Sequence, residues 1–151
     1  MKVWDNQAKV ISDGCNNIFI KKNRNFKKKK MTTQEVANRY MELEKQGKHM
    51  EIQTELYSKD VVCIEPEHAA AMGLQTVTTG LEAVQAKGKA WGDGIEEMHG
   101  SYCTEPTVAG NFFSVAMGFD ATFKMGGRRQ MDEIAVFEVK GGKIIKEQFF
   151  F

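Results

Sequence analysis

The stretch that decides the fold runs from Phe113 to Phe151 and reads FSVAMGFDATFKMGGRRQMDEIAVFEVKGGKIIKEQFFF. Phe113, Val115, Met117, Phe119, Ala121 and Phe123 alternate with Ser114, Ala116, Gly118, Asp120 and Thr122. Successive side chains of a strand point to opposite faces, so this period of two predicts one long strand with an apolar face. Gly126-Gly127 and Gly141-Gly142 separate such runs and supply the positive φ that tight hairpins need. The neighbouring strands are then residues 130–139 and 143–151.

Carried through the turns, the same phase places Met131, Glu133, Ala135, Phe137 and Val139 beside Phe113, Val115, Met117, Phe119 and Phe123. The last run adds Glu147, Phe149 and Phe151. Two carboxylates therefore stand in line with phenylalanines. Buried acids need partners. They are either site residues or pair with Arg128, Arg129 or a backbone donor near the rim. The opposite face is small or polar except at Ile134 and Val136. An apolar island on a wet face predicts a partner, most simply a homodimer formed through that outer face.

Outward toward the N-terminus, Ile95 to Cys103 reads as another strand. Thr79-Gly80-Leu81-Glu82 fits a capping box opening a helix that closes near residues 92–94, with Leu81, Val84 and Trp91 inward. Residues 67–78 read as a loop, and 61–65 as a short strand stopped by Pro66. A helix spans about 50–57, with Ile52 and Leu56 inward. Before it, Thr32-Thr33-Gln34-Glu35 is a second capping box, followed by Val36, Tyr40 and Leu43 at helical spacing with Glu42, Glu44 and Lys45 mostly off the stripe. Helices first and long hairpins last define an α+β class. The expected architecture is a cone: a strongly curved mixed or antiparallel sheet packed on the N-terminal helices and enclosing a pocket.

Charge divides the chain. Residues 1–30 carry nine Lys or Arg against two Asp, a balance of +7, which leaves −6 for 31–151 out of the overall +1. The segment NNIFIKKNRNFKKKK (16–30) is read as a solvated, disordered extension. Its alternatives are an anion-binding arm or residues outside the native protein. Met31 stands immediately before a helix start, as an initiator would, and intact mass of the native protein decides the point. The body, 31–151, is one domain, and neither nucleic acid nor membrane is expected as its partner. Cys15, Cys63 and Cys103 are odd in number and form no CxxC pair, which predicts a reducing, cytoplasmic location rather than a disulfide framework. Three histidines without ligand spacing predict no metal. The absence of a P-loop, a dinucleotide fingerprint or GxSxG predicts no bound cofactor.

Residues 31–151 resemble the nuclear-transport-factor-two-like superfamily, and within it the SnoaL-like and ketosteroid-isomerase-like proteins. The resemblance rests on ELYSKDVV (55–62), TGLEAV (79–84) and VFEVKGGKI (136–144). It implies a cofactor-free acid–base catalyst of isomerase, cyclase or dehydratase type acting on a small apolar carbonyl compound. The alternative is a non-catalytic ligand-binding or dimeric interaction module. By the same resemblance Glu65, followed by Pro66, takes the place of the family's base, and Tyr40, seven residues before Gly47, that of its phenol donor. The second donor position falls on Ala135, where Glu133, two residues away on the same face, could substitute if protonated. Trp91, His99, Met117, Phe119, Phe123, Glu133, Ala135, Phe137, Glu147 and Phe149 are the expected pocket lining. His49 and His68 read as exposed.

Overall fold

The computed structural model describes residues 29–151. The basic segment 1–30 therefore lies outside the described residues except for Lys29 and Lys30. Helix α1 (Thr33–Glu44) starts as the sequence requires. Thr32 Oγ1 accepts from the Glu35 amide at 3.2 Å, while Glu35 accepts from the Thr32 amide at 2.6 Å. Its stripe of Val36, Ala37, Tyr40, Met41 and Leu43 is buried.

Helix α2 (His49–Leu56) ends one residue sooner than the sequence suggests. Tyr57 already has extended backbone and opens strand β1 (Tyr57–Ile64). A 3-10 turn (Glu67–Met72) and strand β2 (Val77–Thr79) occupy what reads as a loop, too short to show a period of their own. Helix α3 (Leu81–Gly94) has Gly80 as its N-cap with no side-chain cap bond, so the capping box read at Thr79–Glu82 does not form.

Five further strands complete the chain: β3 (Ile95–Cys103), β4 (Thr107–Ala109), β5 (Phe112–Phe123), β6 (Gly127–Lys140) and β7 (Lys143–Phe150). With β1 and β2 they form a curled, unclosed sheet of seven strands in the order β2-β1-β7-β6-β5-β3, with β4 on β5. All pairings are antiparallel except β1 with β7. Gly141 and Gly142, at φ 63° and 81°, make the two-residue β6–β7 turn, where any side chain would be strained.

The helices cover the concave face. Tyr40 packs on Phe113 and Phe137 at 5.6 and 4.9 Å between ring centroids, and those two phenylalanines stack at 4.6 Å. Burying each such ring contributes about 1.5–3 kcal/mol, which holds α1 onto the sheet.

Candidate functional site

The register across the sheet builds the inner wall. Cys63 on β1 lies opposite Glu147 on β7, Glu147 opposite Phe137 on β6, and Phe137 opposite Phe113 on β5. One step along, Phe149, Ala135 and Val115 form a second row, and Glu133 with Met117 and Cys103 a third.

Strict alternation from buried Ile144 would send Glu147 outward. A register shift in the β6–β7 ladder prevents this: Val139 pairs Ile144 but Glu138 pairs Lys146, so Ile145 is the extra residue of a bulge. Both Ile144 and Glu147 therefore face the core, 0% and 5% exposed. Re-aiming a side chain is what a bulge does.

Between this wall and the helices lies a cavity of about 620 Å³. Met98, Met117, Met131, Phe119 and Trp91 give it a soft apolar lining. Trp91 meets Phe119 edge-on at 5.3 Å.

Set into this surface is a cluster of charges. Lys87 of α3 pairs with Glu65, whose side chain is only 9% exposed, and donates to Cys63 Sγ at 2.9 Å. The Tyr57 hydroxyl donates to Glu147. Glu133 faces the same space without a hydrogen bond to any described residue. Desolvation, followed by repulsion from Glu65 and Glu147 and opposed by Lys87, pushes its carboxyl up to about 7. Burial likewise raises Glu147 against the lowering effect of Tyr57, Cys63 and Lys87.

The Tyr40 hydroxyl, raised well above the ordinary phenol range by burial and then by Glu44 and other nearby groups including Glu147 and Glu133, also faces the cavity with no hydrogen bond to a described residue. Desolvation pushes the Cys63 thiol up to about 12, so it is a neutral thiol rather than a nucleophile.

Glu65, Tyr40, Trp91, Met117, Phe119, Glu133, Phe137, Glu147 and Phe149 thus share one cavity. Three expected lining residues do not belong to it. His99 turns to the other side of β3, where a register shift between Met98 and Gly100 gives the inward position to Met98, and its Nε2 lies 2.7 Å from Thr122 Oγ1. Ala135 is fully buried beneath its larger neighbours. Phe123 stands behind Trp91 at 6.2 Å, with Arg129 over its ring.

The sequence reading also missed Lys87, Tyr57, Cys63, Glu44 and His49. Lys87 had a signal, since it falls between Val84 and Trp91 on one helical face. Cys63 had one too, being two residues from Glu65 in a strand. Glu44, expected off the stripe, lines the cavity one turn after Tyr40. Among the described residues no group of three or more His, Cys, Asp or Glu is placed to hold a metal ion.

Helices followed by a curled, unclosed sheet are the architecture this chain shares with NTF2-like and cystatin-like folds. The chain belongs to the SnoaL-like domain family, whose model matches residues 31–151. It is similar to a SnoaL-like polyketide cyclase assigned in Mesorhizobium loti, at 34% identity and a TM-score of 0.73 over 80% of this chain and 100% of that one. An NTF2-like protein of unknown function from Burkholderia pseudomallei matches at 18% and 0.64 over 80% and 92%. A Catenulispora acidiphila protein with a ketosteroid-isomerase-like fold, in complex with trimethylamine, matches at 17% and 0.59 over 80% and 87%. No curated protein matches the sequence.

Proposed function

We propose that this chain binds a small apolar carbonyl compound in the cavity and moves a proton on it, as an isomerase, cyclase or dehydratase does. The observation that carries this reading is the placement of Glu133, a carboxyl that faces an apolar hollow with no hydrogen bond to a described residue and that desolvation pushes up to about 7. A base works best when its pKa lies near the operating pH, because it both accepts and returns the proton. Glu133 removes a proton from the carbon next to the carbonyl, and the electron pair passes to the carbonyl oxygen. The Tyr40 hydroxyl and the Lys87 ammonium stabilise that oxygen as charge develops. Glu133, now neutral, delivers the proton to another carbon of the same framework. Glu65, the base implied by resemblance, is engaged by Lys87. Its role here is to fix the ammonium in place, with Glu133 as the proton carrier.

The test is deuterium uptake at the α-carbons of 2-tetralone in D2O, followed by proton NMR. The wild type should accelerate exchange over buffer, and Glu133→Gln should lose about a hundredfold of that acceleration. Exchange no faster than buffer with the wild type, or equal in the variant, removes catalysis. Saturable 2-tetralone binding without exchange would leave a binding module.

The second reading, a dimeric interaction domain, has its own observation. Ile134 and Phe150 pair across β6 and β7 on the outer face and are each 50% exposed. We place the homodimer contact there. The free Cys63 and Cys103 suit a reducing compartment such as the cytoplasm. No helix among the described residues is long and apolar enough to cross a membrane.

A further inference from the structure

Helix α1 ends at Glu44 and α2 begins at His49, and the turn between them brings the two side chains together. His49 Nδ1 lies 3.1 Å from Glu44 Oε2. The carboxylate is almost covered, with its side chain 13% exposed, whereas the imidazole is 68% exposed. Both residues line the cavity.

This arrangement has a chemical direction. A carboxylate bonded to one ring nitrogen fixes the tautomer and the orientation of the ring and stabilises the imidazolium. The other nitrogen, Nε2, is left without a partner among the described residues. Of the neighbouring charges, Lys48 pairs with Glu51 at 3.3 Å and Lys45 with Glu105 at 2.5 Å. The charge acting on His49 is therefore that of Glu44, whose hydrogen bond raises the imidazole above its ordinary value although burial opposes it.

We propose that Glu44 and His49 form a second polar station of the cavity, in which protonated His49 binds a hydroxyl or enolate oxygen of the ligand through Nε2. The inference rests on the cavity taking a small carbonyl compound. It adds that the compound carries two oxygen functions, one held at the Tyr40–Lys87 station and one at His49. Tyr40 and Lys87 line the same cavity as Glu44 and His49, so one ligand can reach both stations. A planar hydroxy-carbonyl framework fits this arrangement better than a simple ketone.

The experiment compares 2-hydroxy-1,4-naphthoquinone, which offers an enolate oxygen beside its carbonyls, with 2-tetralone, which offers one oxygen. Binding is measured by titration calorimetry on the wild type, His49→Ala and the control His68→Ala. His49→Ala should weaken the naphthoquinone roughly tenfold or more, the loss expected of one charged hydrogen bond. It should weaken 2-tetralone, which has no second oxygen for Nε2, by a much smaller factor, and His68→Ala should change neither. Equal affinity of wild type and His49→Ala for the naphthoquinone overturns the second station while the cavity reading stands. Failure of the wild type to bind either compound overturns the cavity reading and the station with it. Independently of any ligand, the His49 imidazole followed by NMR should titrate lower in Glu44→Gln, and an unchanged titration also overturns the pairing.

Discussion

The Tyr57 hydroxyl donates its hydrogen bond to Glu147, a residue ninety positions further along the chain, and both side chains are buried at 5% exposure. The bond joins the first strand to the last at the floor of the cavity. Removing the donor leaves a buried acid short of a partner. Tyr57→Phe should therefore lower stability by about 1–3 kcal/mol in urea unfolding. A variant as stable as the wild type would show that the bond carries no net free energy.

Glu133 predicts a pH dependence of defined sign. Its carboxyl is raised from 4.5 to about 7 in the folded protein. Between those values the folded state holds a proton that the unfolded chain has released. Its contribution to stability is therefore complete below about 4.5 and is lost as pH rises toward 7. Glu133→Gln, which cannot titrate, should flatten that part of the stability profile measured by denaturant unfolding at successive pH values. A slope identical to that of the wild type would contradict the assignment.

Lys87 opposes the rise of Glu133 and neutralises Glu65. Lys87→Met should move the Glu133 titration further upward in carbon-detected NMR. It should also destabilise the protein by about 2–3 kcal/mol. That is below the range for a fully buried pair because the lysine side chain is 26% exposed. A downward shift of Glu133 would mean that the two groups do not share a field.

Gly118 leaves room for a cross-strand contact. A Cβ there would fall 2.6 Å from a ring carbon of Tyr102, 2.7 Å from Asp132 Oδ1 and 2.7 Å from the Met131 carbonyl oxygen. Backbone cannot yield as a side-chain tip can. Gly118→Ala should cost about 1–3 kcal/mol and break the 2.8 Å Tyr102–Asp132 hydrogen bond. Thermal unfolding measures the first effect, and an unchanged Tm would mean that the strands relax around the methyl.

The outer face gives a test of assembly. Ile134→Glu places a charge opposite Phe150. If that face joins two copies, sedimentation should show a dimer in the wild type and a monomer in the variant. Unchanged sedimentation would move the interface elsewhere or remove it.

Much of this molecule was readable from local pattern. The period of two from Phe113 to Phe123 settled β5, and the glycine pairs settled the β5–β6 and β6–β7 hairpins. The Thr32–Glu35 capping box settled the start of α1. Each is a short-range constraint, acting between residues a few positions apart. The same periodicity brought Glu133 into line with the apolar wall, and so marked an acid in the interior before any contact was known.

What the tertiary structure alone decided is which groups meet. Glu147 was already in phase with Phe149, but Ile145 as a bulge brings Ile144 inward beside it, and strict alternation cannot foresee one extra residue in a ladder. Lys87 reaches Glu65 and Cys63 because α3 lies across β1. His49 reaches Glu44 because a turn reverses the chain between two helices. Such meetings depend on how elements pack, and they set the solvation and charge that a carboxyl feels. Sequence determined which faces are apolar and which acids lie on them; the folded arrangement decided their partners, and with them the protonation on which any chemistry depends.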